Sequence, residues 1–172
     1  MPIEIADYDE RWPDQAEAVI QEVSGVLGDS ITAIEHFGST SVPGLAAKPI
    51  IDVMAAAEHF DDVAPHVQRL GALGYVLMDT GTWQRMWFVR SGAVRVHLHV
   101  VTTATWPTQN ERLLRDHLRA HPADARRYAD LKRTLVAMDG DSYTRAKTEL
   151  VQELVDAART ERGLPLVTVW EE

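Results

Sequence analysis

The chain has 172 residues, of which 45% are hydrophobic and 25% are charged, and its formal net charge is −9. This length suits one globular domain with a buried core, and the acidic balance argues against a general nucleic-acid binder, whose surface is basic. Disulfides and thiolate metal sites are excluded because the chain has no cysteine. The acidic start lacks a secretion signal and no apolar run approaches the ~20 residues that span a bilayer, so we expect a cytoplasmic protein without a membrane partner.

The first part of the chain alternates between helical and extended patterns. Apolar residues at helical spacing predict helices at 12–27, ended by Gly28, and at 60–73. Extended segments are predicted at 3–9, 31–37, 49–57 and 75–78, followed by a hairpin with strands at 83–90 and 93–101. Because side chains alternate along a strand, Asp52 and Met54 are expected on one face of the sheet.

The pattern changes to a helical one at Pro107. Helices are predicted at 108–120, 122–138 and 141–162, followed by a tail over 163–172. We therefore predict an α/β (α+β) fold in one domain, residues 1–172. In this fold, a mixed-sheet half, residues 1–106, packs against a helical half, residues 107–162.

A turn of small residues links the first two long strands, in the segment HFGSTSVPGLAAKPIID of residues 36–52. A Gly-Ser turn that opens a helical turn presents backbone N–H groups to a phosphate, and the candidate residues are Gly38, Ser39, Thr40 and Ser41. By itself the Gly-Ser pair is a weak signal, since Gly38 could simply allow the chain to reverse.

Two charged residues follow this turn. Lys48 could balance a phosphate or be an exposed loop lysine. The carboxylate of Asp52 could bind a metal ion beside the phosphate, or it could be a buried group paired with the turn or with Lys48.

Three basic or polar residues alternate with apolar ones in the second strand of the hairpin. Arg95, His97 and His99 share one face, and Val96 and Leu98 lie on the other. With Asp52, the two imidazoles could bind a transition metal such as Zn²⁺ or Mn²⁺. With Arg95, they could instead bind an anionic group, or the face could be polar sheet surface without a ligand.

Four segments together resemble the GrpB family (UPF0157), which belongs to the nucleotidyltransferase-fold superfamily. They are EHFGSTSVPGLAAKPIID at 35–52, HLHV at 97–100, RDHLRAHPADARRYADLK at 115–132 and YTRAK at 143–147. The resemblance implies a nucleotidyltransferase-like fold in which the turn at Gly38 and Ser39 holds a nucleotide phosphate. It also implies that Arg115, Lys132 and Lys147 of the helical half close the pocket, whereas helical spacing alone is equally consistent with solvated faces.

The resemblance also exposes a departure from the superfamily pattern. Catalytic members carry two acids one residue apart on the second strand, where they bind a pair of Mg²⁺ ions. Here the corresponding residues are Asp52 and Met54, and a thioether does not replace an oxygen ligand for Mg²⁺. Asp52 is therefore the one candidate catalytic carboxylate on this strand, and the metal could be Mg²⁺ or, with His97 and His99, Zn²⁺ or Mn²⁺.

Three functions remain open at this point. The first is a pocket for a phosphorylated or anionic small molecule, a nucleotide or a coenzyme A-like compound, with nucleotidyl transfer as the reaction class that the resemblance favours. The second is a non-catalytic accessory or folding domain, related to GrpB-like segments fused to dephospho-CoA kinases. The third is a metal-dependent hydrolase that uses Asp52, His97 and His99.

Overall fold

The computed structural model describes residues 4–81, 84–136 and 140–169. Within these ranges the helices are α1 (Trp12–Leu27), α2 (Phe60–Val63), α3 (Val67–Ala72), α4 (Asn110–Ala120), α5 (Pro122–Leu135) and α6 (Gly140–Glu161). The strands are β1 (Ala33–Phe37), β2 (Ile50–Ala57), β3 (Val76–Met78), β4 (Met86–Arg90) and β5 (Arg95–Thr102). The predicted mixed-sheet half and helical half are both confirmed.

The five strands form one mixed sheet in the order β1-β2-β5-β4-β3. β2 and β5 run parallel at its centre, and the other neighbouring pairs are antiparallel. The register places Asp52 opposite His97 and Met54 opposite His99. Because residues paired across a sheet point to the same side, these four side chains share one face, as the alternation in the sequence predicts.

The two faces of the sheet have different partners. α1 and α3 pack on the face that carries Ile51, Val53 and Leu98, and the shared core there is fully buried. The opposite face, which carries Asp52, looks toward the helical half. α4, α5 and α6 form a second core with the loop that follows the small-residue turn, and its buried apolar side chains include Leu45, Leu118, Val151 and Leu154.

Several predicted boundaries change in the structure. The helix predicted at 60–73 is broken into α2, a 3₁₀ turn at Ala64–His66 and α3, because Pro65 has no N–H to continue an α-helix. The extended segment at 3–9 reduces to a single bridge between Ala6 and Ala47. Residue 3, residue 83 at the start of the predicted hairpin, and residues 137–138 at the end of the helix predicted at 122–138 lie outside the described residues.

The tail is not a strand over its described part, residues 164–169, but it is held against the helical half. Arg159, which is 5% exposed, donates hydrogen bonds from its three guanidinium nitrogens to Pro165 O, Thr108 O and Asn110 Oδ1, at 2.9–3.0 Å. Val169 is buried in the same core. In the described part of the chain, no helix combines the length and apolarity needed to cross a membrane.

We expect Arg159→Lys to destabilise the fold. A lysine ammonium cannot reach all three acceptors of the planar guanidinium, and each buried acceptor left unpaired costs about 1–3 kcal/mol. The loss should appear as a lower urea midpoint with an unchanged slope. Arg162→Lys is the matched control at an exposed position, and it should change the free energy of unfolding by less than about 0.5 kcal/mol. Equal stability of Arg159→Lys and wild type would contradict this role.

Candidate functional site

A cavity of about 370 Å³ lies between the Asp52 face of the sheet and the helical half. Its walls come from the turn after β1, the start of β2, the centre of β4 and β5, and helices α4, α5 and α6. The lining side chains are Phe37, Ser39, Thr40, Lys48, Ile50, Asp52, Arg85, Trp87, His97, His99, Glu111, Tyr128, Lys132, Tyr143 and Lys147. This size is within the range of small-molecule sites in proteins.

Every lysine of the chain lines this cavity. The sequence contains only three lysines, Lys48, Lys132 and Lys147, and every other cationic side chain apart from histidine is an arginine. Lys48 comes from the loop before β2, Lys132 from α5 and Lys147 from α6. Three segments that are far apart in the sequence therefore bring their ammonium groups to one place.

Lys132 is the most deeply buried of the three, at 3% exposure. Its Nζ donates to Ser39 Oγ at 3.0 Å and to the carbonyl of Ala46 at 2.8 Å, and it lies 4.4 Å from the centre of the Tyr128 ring. Burial, with smaller contributions from Lys147 and Lys48, lowers the pKa of Lys132 to about 7. Its ammonium is therefore poorly compensated in the ligand-free protein, and an anion beside it would stabilise the charged form.

Asp52 packs directly against the turn. Gly38 has φ +74°, and a Cβ built on it would lie 2.4 Å from Asp52 Oδ2. Gly38 therefore serves two purposes, a left-handed backbone conformation and close approach of the carboxylate. Burial raises the pKa of Asp52 to about 7, and Glu111 acts in the same direction. Asp52 is thus poised to lose its proton if a cation binds beside it.

The two predicted imidazoles lie next to Asp52. His97 Nδ1 is 3.5 Å from Asp52 Oδ1, longer than a good hydrogen bond. His99 Nδ1 accepts a hydrogen bond from Arg85 Nη1 at 3.1 Å, since a guanidinium can only donate. Burial is the main cause that lowers the pKa of both histidines, for His99 to about 3. His99 is therefore neutral with its proton on Nε2.

Two further charged residues line the cavity, Arg85 and Glu111. In the sequence Arg85 alternates with Trp83 and Trp87, which is consistent with cation–π packing or with one wall of a ligand cleft, whereas Glu111 was not predicted. Arg85 Nη1 is 2.7 Å from Glu111 Oε1, and its Nη2 donates to Gln109 Oε1 at 3.2 Å. Glu111 belongs to the first turn of α4 and thus brings a second carboxylate from the helical half to the cavity. The sequence offered no periodic pattern for Glu111. The scarcity of lysine, however, could have linked Lys48, Lys132 and Lys147 before the structure was known.

The donor set does not suit a pair of Mg²⁺ ions. Met54 occupies the strand position two residues after Asp52 and is fully buried, so a thioether stands where a second carboxylate would be needed. One ligand atom each from Asp52, His97 and His99 lies within 4.8 Å of the other two. These residues could hold a single Zn²⁺- or Mn²⁺-like ion instead. In its present tautomer, His99 has no free lone pair for the ion. Either its Nδ1 would have to release the hydrogen bond from Arg85, or its Nε2 would have to lose its proton.

The structure separates the predicted residues into two groups. Ser39, Thr40, Lys48, Asp52, His97, His99, Lys132 and Lys147 line the cavity, and Gly38 and Arg115 line a narrower cleft of about 160 Å³ that shares several of these walls. Thr40 donates to the carbonyl of Ile50 and accepts from His36 Nε2, which fixes the turn against β2.

Arg95 and Ser41 are not among the cavity-lining residues of the described part of the chain, and the guanidinium of Arg115 has other partners. Arg95 begins β5 with its side chain exposed. Ser41 is buried, and its hydroxyl bonds back to the carbonyl of Gly38. The guanidinium of Arg115 is occupied by Glu35, Asp116 and the carbonyl of His36.

Comparison with solved structures shows the class of fold. Terminal uridylyl transferase 4 from Trypanosoma brucei, solved with bound CTP, superposes with a TM-score of 0.53 over 96% of this chain and 59% of that chain, at 16% identity. The mixed sheet with its helical half is therefore a nucleotidyltransferase-like fold.

The family follows from closer matches. The model of the GrpB protein family matches residues 2–157, and the chain belongs to this family. The crystal structure of the conserved protein GrpB from Enterococcus faecalis superposes with a TM-score of 0.84 over 93% of this chain and 99% of that chain, at 28% identity.

The share of the relative's own length that matches this chain differs between two curated relatives. The UPF0157 protein YqkA of Bacillus subtilis is 34% identical over 91% of this chain, but the match spans only 47% of that relative. A dephospho-CoA kinase of Mycolicibacterium paratuberculosis is 31% identical over 77 residues, which is 43% of this chain and 19% of the kinase. Segments similar to this chain therefore also occur within longer proteins.

We expect Gly38→Ala to cost more stability than Gly44→Ala. Both glycines have similar left-handed φ values, +74° and +78°, but an added Cβ meets nothing within 4 Å at Gly44. Gly44→Ala should cost about 1–2 kcal/mol from the backbone alone, and Gly38→Ala a further 1–3 kcal/mol or so from the clash with Asp52. The excess should disappear in an Asp52→Ala background, as measured by a double-mutant cycle in urea. Equal costs at the two glycines would contradict the contact.

Proposed function

We propose that the cavity binds a nucleotide or a coenzyme A-like molecule, with its phosphates against Lys48, Lys132, Lys147 and the turn at Ser39. The observation that carries this proposal is the convergence of all three lysines on one cavity. A buried ammonium is costly without an anion nearby, and Lys132 has only neutral hydrogen-bond acceptors, Ser39 Oγ and Ala46 O, in the structure described above. A phosphate group would supply the missing charge.

The aromatic lining of the cavity favours an organic phosphate over inorganic phosphate. Four aromatic side chains, Phe37, Trp87, Tyr128 and Tyr143, line it together with the lysines. Aromatic faces stack on nucleobases, and each such contact is typically worth about 1–3 kcal/mol. The neutral His99, with its proton on Nε2, adds a hydrogen-bond donor that carries no charge.

The comparisons support this choice of ligand class. The trypanosomal enzyme that shares the fold holds CTP in its crystal structure. The mycobacterial relative that contains a matching segment is named a dephospho-CoA kinase. A GrpB domain that senses such a ligand without chemistry, as an accessory domain, is compatible with the same cavity.

The proposal does not extend to two-metal nucleotidyl transfer. Met54 removes one of the two strand acids that this mechanism requires. Asp52 and Glu111 both reach the cavity, but on different elements and without the one-residue spacing. Any turnover of a nucleoside triphosphate that survives Asp52→Asn would show that the reaction does not depend on this carboxylate.

A metal-dependent hydrolase is the second candidate, because Asp52, His97 and His99 bring one ligand atom each within 4.8 Å. Zn²⁺ or Mn²⁺ bound there would supply an activated water. Metal analysis of the purified protein, compared with His97→Asn, tests this candidate, and it fails if the two bind the same amount of metal.

A thermal-shift screen with ATP, CTP and coenzyme A selects the compound that raises the melting temperature of the protein. We expect the lysines to contribute most of the binding free energy for that compound. Lys132→Met and Lys147→Met should each weaken binding at least about tenfold in isothermal titration calorimetry, because a charge-assisted hydrogen bond contributes about 1.5–3 kcal/mol. Arg126→Met is the matched control, since it removes one positive charge from the exposed side of the same helix as Lys132. Equal losses in all three variants would mean that net charge, and not the cavity, controls binding.

We also expect anion binding to weaken as the pH rises through about 7. The pKa of Lys132 is lowered to about 7, so the ammonium that attracts the anion is present below this pH and is lost above it in the free protein. A bound anion raises that pKa, so the affinity should fall by up to about tenfold per pH unit above 7 until the pKa of the complex is reached. Asp52 ionises over the same range and repels an anion, so it acts in the same direction.

Sulfate is a suitable probe for this pH dependence because its own charge is constant between pH 6 and pH 9 or so. The affinity of the protein for sulfate, measured by NMR titration, should depend less steeply on pH in Lys132→Met and in Asp52→Asn than in the wild type. In the double variant it should not depend on pH. An affinity for sulfate that is flat across this range in the wild type would contradict a titrating Lys132.

A further inference from the structure

A second cluster of metal-ligating side chains lies outside the cavity, where the end of α4 meets the end of α6. His117 lies in the last turn of α4, and His121 directly follows the end of α4 with its backbone N–H bonded to His117 O. Glu161 is the last residue of α6. One potential ligand atom from each of the three lies within 4.8 Å of the other two. None of the three lines the cavity described above.

The hydrogen bonds around His117 fix its tautomer. His117 is 3% exposed, and its Nε2 lies 2.8 Å from Asp124 Oδ2. Since a carboxylate accepts, Nε2 carries the proton, and in the neutral ring Nδ1 keeps a lone pair. This Nδ1 has no hydrogen-bond partner among the described residues. A buried ring nitrogen without a partner is uncommon in native structures and calls for an explanation.

His121 is fixed in the complementary way. Its Nδ1 lies 2.8 Å from the backbone carbonyl of His117 and must donate to it, which leaves the lone pair of the neutral ring on Nε2. Nε2 in turn lies 3.1 Å from Glu161 Oε1. A lone pair that faces a carboxylate is repelled by it, unless a proton or a metal cation lies between them.

We propose that His117, His121 and Glu161 bind a Zn²⁺-like divalent metal ion that joins α4 to α6. Two neutral imidazoles and one carboxylate form a typical three-residue donor set for Zn²⁺, with water completing the tetrahedron. His117, the ring that stays in place, also donates its Nε2–H to Asp124, which is the usual outer-shell support of a metal-binding histidine. A proton on His121 would satisfy Glu161, but it would leave His117 Nδ1 unexplained.

Binding requires one local movement. The two rings stack with centroids 4.0 Å apart and planes 17° apart, whereas an ion bound in the plane of both rings needs the planes to intersect near it. The His121 side chain is 38% exposed and that of His117 only 2%, so His121 is the ring that turns. Glu161, at 52% exposure, can follow it.

Zn²⁺ binding is best measured by equilibrium dialysis in an Asp52→Asn background, which disables the other candidate metal cluster. We expect one Zn²⁺ per chain, with Co²⁺ giving the visible absorption of a site with two nitrogen ligands. His121→Asn, Glu161→Gln and the supporting Asp124→Asn should each weaken Zn²⁺ binding by about 10–100-fold. His59→Asn is the matched control, because His59 and His121 are both N-cap residues of helices and Asn is a favourable N-cap.

Two results would overturn the proposal. The first is a folded Asp52→Asn protein, verified by circular dichroism, that binds no Zn²⁺ at micromolar concentrations. The second is equal Zn²⁺ affinity in His121→Asn and His59→Asn, which would assign the metal to scattered surface histidines. Neither result bears on nucleotide binding at the cavity, so this site and the proposed function fail independently.

Discussion

The structure depends on cationic side chains of the helical half that hydrogen-bond to the turn after β1. Lys132 donates to Ser39 Oγ and Ala46 O, Arg119 donates twice to the carbonyl of Ser41, and Arg115 donates to the carbonyl of His36. These bonds give hydrogen-bond partners to backbone carbonyls of the turn, of the loop after it and of His36 at the end of β1. They also fix the distance between the sheet and the helices, and so the cavity between them.

The cavity lining has more cationic than acidic side chains, with three lysines and Arg85 against Asp52 and Glu111. Asp52 has its pKa raised to about 7 and is partly protonated at neutral pH, while three lysines face the same space. Natural proteins tolerate such imbalance mainly at functional sites, where a ligand restores the balance. This member of the GrpB family combines a nucleotidyltransferase-like fold with Met54 at the position of a second strand acid, and the function proposed for it is therefore binding without two-metal chemistry.

Short-range patterns in the sequence explain what could be predicted. Alternation in β2 and β5 placed Asp52, His97 and His99 on the correct faces, and helical spacing located α1 and the C-terminal helices. The register of β2 against β5 joins residues about 45 positions apart and is set by packing, so periodicity could not provide it. For the same reason Glu111 was missed, and the alternation of Arg85 with two tryptophans left its role open. The face of Arg95 was correct, but the sequence does not show which residues of that face line the cavity. The helix break at Pro65 could have been read from the sequence.

Anion binding by the cavity can be tested most directly through the three lysines that line it, since the chain has no others. Protein labelled with ¹³C only at lysine Cε should give three NMR signals, one of which titrates near pH 7 and not near 10.4, the usual value for a lysine. Adding ATP, CTP or coenzyme A should shift all three signals together and raise the pKa of the low-titrating one. If all three lysines titrate near the usual value, and none of these compounds shifts them, the cavity is not an anion site.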